Sequence, residues 1–162
     1  MQTASVNYPR KLFKAILVTG LLAGTLDALA AIINFYIATG KNPITVFVYI
    51  ASGAVGKQAY ADSKTIALLG LFFHYCFAII FSAFYFLMYP RLKFLRWNKI
   101  NAAVIYGIFV WLVMNLVVVP LSRTTRLPFH ISNALLAVII LIVCIGIPVS
   151  FAASSFYNRK YN

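Results

Sequence analysis

The sequence predicts an all-α membrane protein, an antiparallel bundle of four transmembrane helices with an outer-side interfacial or re-entrant helix. Three observations predict it. Hydrophobic residues make up 63% of the chain and charged residues 10%, against about 25% charged in a soluble domain, so the chain lacks the polar surface that water requires. Four apolar runs are each long enough to cross a hydrocarbon core of about 30 Å as a helix rising 1.5 Å per residue. The runs are continuous, with no period of two, which argues for helices over barrel strands.

The first run covers residues 15–37. Arg10, Lys11 and Lys14 precede it, and Ala28, Leu29 and Ala30 resemble a signal-peptide cleavage site. The apolar stretch nevertheless continues to Ile37, longer than a signal-peptide core, so it reads as a span. Gly40, Lys41, Asn42 and Pro43 read as a turn. Residues 43–56 are apolar but too short to span, and Ile44, Phe47, Val48, Ala51 and Val55 share one helical face, as in an interfacial or re-entrant helix. A fifth tilted span is the competing reading, and it would separate the two termini. The second run is 65–89, the third 101–121 and the fourth 133–157. In the fourth, Gly146 and Pro148 predict a kink, and Ser150, Ser154 and Ser155 are placed to satisfy the carbonyls that Pro148 frees. Residues 1–162 are expected to form one transmembrane domain.

The formal net charge is +12, from 14 Lys and Arg against 2 acidic residues. The cations sit in short clusters between apolar runs, not in a stripe that could track a phosphate backbone, so nucleic acid is not an expected partner. Such clusters set topology and attract anionic lipid headgroups. One side carries Arg10, Lys11, Lys14, Arg91, Lys93, Arg96, Lys99, Arg159 and Lys160; the other carries Lys41, Lys57, Lys64, Arg123 and Arg126. The positive-inside rule then places both termini in the cytoplasm. Tyr36, Tyr85, Tyr89, Trp97 and Tyr157, at run ends, are expected in the interfacial aromatic belts.

Asp27 is the most informative residue. It lies near the middle of the first run, where an ionised Asp costs about 2.5–3.5 kcal/mol on insertion scales. It shares a stripe with Gly20, Ala23, Gly24, Ala31 and Asn34, and Gly20 with Gly24 forms a G-x-x-x-G pair for close helix approach. His74 is its expected partner. It lies at matching depth in the second run, on a small-residue stripe with Ala67, Gly70, Ala78, Ser82 and Tyr85. The competing account is a histidine satisfied by a backbone carbonyl. Asn115, on a stripe with Ala103, Gly107 and Trp111, is a third polar candidate or simple interhelical glue. Arg123 and Arg126, with Ser122, Thr124 and Thr125, could hold an anion or headgroup, and His130 could sense external pH, against the plainer account of a solvated loop.

Other chemistry is poorly served. Cys76 and Cys144 lie inside apolar runs without metal-ligand spacing and read as packing residues. Residues 53–58 superficially match a P-loop, but Ala51 and Gln58 replace a required glycine and a required Ser or Thr. Asp62 falls on the outer segment, away from Asp27, so paired-carboxylate catalysis is not expected. No cofactor, metal site or catalytic residue is expected.

Four short motifs carry a family resemblance: Gly20-Leu-Leu-Ala-Gly24, His74 with the Phe-rich run to Tyr85, Tyr89-Pro90-Arg91-Leu92-Lys93, and Pro120-Leu121. Together they resemble the YagU-like family of small bacterial inner-membrane proteins. The resemblance implies a multi-pass inner-membrane protein and supplies no reaction. The residues themselves point first to proton-linked transport or pH sensing through Asp27 and His74, in a dimer or larger oligomer. The alternative is a non-catalytic module that binds a lipid, a hydrophobic small molecule or a protein. An intramembrane enzyme acting on lipid headgroups, with Asp27 as base, ranks third.

Overall fold

A computed structural model describes residues 3–60, 63–124 and 130–158. These residues are helical, joined by turns and short loops, with no strand among them. Four helices are long and apolar enough to cross a membrane: Tyr8–Thr39, Thr65–Met88, Lys99–Leu121 and Ile131–Asn158. The chain is a multi-pass membrane protein. The first span belongs to α1 (Thr3–Thr39), which starts well before the apolar run and carries Arg10, Lys11 and Lys14 on its early turns. The second belongs to α3 (Ser63–Met88). Between them, α2 (Thr45–Val55) has 11 residues, about 16 Å of helix, too short to span.

The spans alternate in direction. Gly20 lies against Ile79, and Gly24 against Ala78 and Tyr75, so positions rise along α1 as they fall along α3. Likewise Gly107 meets Ile142, Gly146 meets the Ala103 carbonyl, and Ser150 bonds Lys99. The rings of Tyr8 and Phe156 approach to 6.0 Å, which puts the start of α1 and the end of the fourth span at the same end. That end is called the terminal end below, and the opposite one the loop end.

The third and fourth spans are each interrupted by one π-helical turn. The third consists of α5 (Lys99–Val113), a π turn at Met114–Val118, and α6 (Val119–Leu121). The fourth consists of α7 (Ile131–Leu141), a π turn at Ile142–Gly146, and α8 (Ile147–Asn158). Both turns have one cause. Proline lacks an N–H and its ring crowds the carbonyl four residues earlier. That residue is Leu116 for Pro120 and Cys144 for Pro148, each inside its π turn. The predicted disturbance at Pro148 is therefore a widened turn.

The main core fills the terminal half. It joins Ala23, Phe81, Tyr85, Phe86, Tyr89, Leu95, Ala102, Tyr106, Val110, Ile145, Val149, Ala153 and Tyr157. This corrects the expected aromatic belt. Tyr36 and Trp97 are exposed, but Tyr85, Tyr89 and Tyr157 are buried: the hydroxyls of Tyr85 and Tyr157 find partners inside the bundle, and the Tyr89 ring stacks on that of Tyr157. Tyr106 donates to the Phe81 carbonyl at 2.5 Å and Tyr157 to that of Phe86 at 2.8 Å. Tyr85 donates to Ser150 Oγ at 3.0 Å, and Ser150 donates to the Lys99 carbonyl at 2.9 Å. Ser150 thus ties three spans together instead of serving the carbonyls freed by Pro148. Tyr106→Phe removes one such bond and is expected to cost about 1 kcal/mol, read as a lower midpoint in reversible unfolding from micelles. An unchanged midpoint would show that this hydroxyl contributes nothing.

The loop half is open by contrast. In α1 no residue beyond Ala28 is buried, and the first π turn, α6 and α7 bury none. Only α2 packs closely there, alongside α3, where Val48, Ala59 and Ala67 form a small second cluster.

Candidate functional site

Asp27 lies where the closed and open halves meet. Gly24 and Ala28, its neighbours on α1, are buried, while α1 beyond Ala28 is not. The register that sets Gly24 against Tyr75 and Ala78 brings Asp27 level with His74. The Asp27 carboxyl group lies within electrostatic range of His74 and of Cys144 in the π turn of the fourth span. No hydrogen bond or ion pair reaches Asp27 from the described residues. Its carboxyl oxygens are also not sealed off, since no buried side-chain oxygen lacks a partner among the described residues.

His74 is satisfied by a backbone carbonyl, the competing account above, and not by an ion pair with Asp27. Nε2 lies 2.8 Å from the Gly24 carbonyl oxygen. A carbonyl can only accept, so Nε2 carries the hydrogen, and a neutral ring keeps Nδ1 as an acceptor. The bond forms because Gly24 has no Cβ. One built there would stand 2.9 Å from the Ala78 Cβ and 3.1 Å from the Tyr75 ring. The small-residue stripe lets α3 come close enough for His74 to reach the α1 backbone. Thr25 Oγ1 adds a bond of 2.9 Å to the Tyr75 hydroxyl. From the other side, the Phe47 ring on α2 packs edge-on against the His74 ring, with centroids 6.3 Å apart.

The remaining candidates lie elsewhere. Asn34 is exposed on α1. Asn115 is exposed in the π turn of the third span, where its Nδ2 donates to the Trp111 carbonyl of its own helix at 2.9 Å. It serves a backbone carbonyl beside a π turn, not an interhelical contact. Gly70 passes directly under the Phe47 carbonyl, and Gly107 faces the Ile142 backbone. The Arg123 side chain is exposed, while its backbone N–H donates to the Gly53 carbonyl at 2.9 Å, satisfying a carbonyl in the last turn of α2. Arg126, Thr125, Asp62, Arg159 and Lys160 lie outside the described residues.

Two members of the site were not singled out by sequence. Phe47 looked like one apolar residue among several. Cys144 looked like packing, although its position four residues before Pro148 marks where the helix must widen. No family model, curated protein or solved structure matches the chain.

Proposed function

We propose that this is a proton-responsive membrane protein, in which Asp27 binds and releases a proton reached from the loop end and His74 tunes or relays it, in proton-linked transport or pH sensing. One observation carries the reading: a mid-span carboxylate that no group among the described residues hydrogen-bonds, at the border of the loosely packed half and near an imidazole. Placing Asp in a span is costly, and a structural carboxylate would be expected to bond across helices. The nearby π turn supports the reading, because such turns gather at functional sites.

The excess of Lys and Arg at the terminal end favours a cytoplasmic location for both termini. The resemblance to the YagU-like family favours the bacterial inner membrane. Four spans leave little room for a pathway in one chain, so a transporting form would be a dimer or larger. Cross-linking in bilayers that finds only monomer would count against transport.

The test uses the full chain in liposomes with an entrapped pH dye. Under an acid pulse, wild-type vesicles are expected to acidify faster than protein-free ones, and the pH titration of Trp fluorescence is expected to show a step. Asp27→Asn should abolish both. His74→Gln keeps a donor for the Gly24 carbonyl and should move the step without unfolding the bundle. If Asp27→Asn leaves both signals unchanged, the proposal is wrong.

A second reading has its own observation. The open half exposes Leu29, Ile33, Leu116, Leu135 and Ile139, which suits a non-catalytic module holding a lipid, a hydrophobic small molecule or a protein. On that reading, replacing Asp27 and His74 together by apolar residues damages folding and leaves no flux to lose. Intact stability with lost flux would reject it.

A further inference from the structure

The turn between the second and third spans presents two cations and two aromatic rings on one surface. It is built around a five-residue helix, α4 (Lys93–Trp97). Leu95 is the one member of α4 that is buried, where it joins the main core. That anchor fixes the helix orientation and leaves the other four side chains outside. Lys93, Phe94, Arg96 and Trp97 line a shallow groove that is open over most of its surface. Trp97 is 92% exposed and Phe94 46%. Such rings at the edge of a span suit the depth of lipid headgroups.

The neighbouring polar groups are already committed. Arg91 donates to the Leu87 carbonyl at 2.6 Å, the Lys99 ammonium stands over the Phe151 ring at 5.6 Å, and Asn98 Oδ1 accepts from the first amides of α5. Lys93 and Arg96 have no acceptor among the described residues. The one acidic side chain among the described residues, that of Asp27, lies mid-span in α1, so no described carboxylate pairs with either cation. Both are open to an anion from another molecule.

We infer that this groove binds an anionic phospholipid, with Lys93 and Arg96 on the phosphate and Phe94 and Trp97 against the glycerol and upper acyl chains. The guanidinium offers a fork of donors to phosphate oxygens, and the ammonium adds a point charge. Soluble phosphate shares the headgroup chemistry, but it would leave both rings uncovered.

The experiment follows Trp97 fluorescence in the full chain carrying Trp111→Phe, reconstituted in phosphatidylcholine nanodiscs. Bromine-labelled phosphatidylglycerol or bromine-labelled phosphatidylcholine is added as quencher. Half-maximal quenching is expected at an anionic-lipid fraction about 25-fold lower than for phosphatidylcholine, since each of the two cations near an anionic surface contributes about five-fold. Lys93→Gln with Arg96→Gln should bring the two lipids to within about two-fold. Lys93→Arg with Arg96→Lys should restore the preference, as should keeping the groove and removing equal charge by Arg10→Gln with Lys11→Gln. Three results would each overturn the inference. One is equal quenching by the two lipids. Another is equal loss in the two charge-removing doubles, which marks a general surface potential. The third is relief of quenching by millimolar inorganic phosphate, which marks a soluble ligand.

Discussion

Gly146→Ala is expected to destabilise the folded bundle by about 2 kcal/mol or more. Two effects oppose each other. Alanine in place of glycine within a helix is favourable by up to about 1 kcal/mol. Against this, the added methyl would overlap the Ala103 carbonyl oxygen, a backbone atom that cannot turn aside. Overpacking a close contact costs about 1–3 kcal/mol and sometimes more, and here relief requires the third and fourth spans to separate. Separation would strain the bond from Ser150 to the Lys99 carbonyl one turn further along the same interface. Gly24→Ala provides the calibration. Its nearest neighbours would be the Ala78 methyl at 2.9 Å and the Tyr75 ring at 3.1 Å, a shallower overlap than that of Gly146 with the Ala103 carbonyl, so its loss should be smaller. Reversible unfolding of both variants in micelles tests the order. If Gly146→Ala equals or exceeds the wild type in stability, the close approach of these spans is wrong.

Gly70→Ala is expected to release α2 from α3 while the four spans stay assembled. A methyl at this position would fall on the Phe47 carbonyl, which again can yield only by moving the helix that carries it. The buried residues of α2 are Val48, Ala51 and Ser52, and their release would move the Phe47 ring off His74. Amide hydrogen exchange in α2 should accelerate by about a hundred-fold, matching a local loss near 3 kcal/mol, and His74 should react faster with an imidazole-directed reagent. Protection in α2 equal to wild type would sink this expectation. Acceleration across all four spans would mean that α2 is integral to the bundle.

The architecture was legible in the sequence because each spanning helix is a local fact. The absence of water forces backbone bonding inside the segment, so apolar length alone locates Thr65–Met88 and Lys99–Leu121 to within a few residues. The glycine stripe of α1 was legible for a similar reason, since small residues at helical spacing mark where backbones can approach. Tyr85, Tyr89 and Tyr157 were misread because their sequence positions suit an interface as well as a core. What separates the two is a partner inside the bundle, a hydrogen-bond acceptor for Tyr85 and Tyr157 and the Tyr157 ring for Tyr89, and the partners lie as far as 71 residues away in sequence. The neighbours of Asp27 divide in the same way. His74 could be found from matching depth, but Phe47 and Cys144 could not, because each reaches the site from a separate helix whose rotation is set by packing.

The sequence by itself determined that this chain spans a membrane four times, where the spans lie, and that a carboxylate and an imidazole share one depth. Those properties follow from composition and from the length of helix needed to cross hydrocarbon. Only the tertiary structure decided that the terminal half closes around tyrosines, that the loop half stays open, and that Asp27 sits at the border without a hydrogen-bond partner among the described residues. In lipid no hydrophobic drive selects which apolar faces meet, so the arrangement depends on glycine contacts, buried hydroxyls and proline-widened turns acting between distant segments.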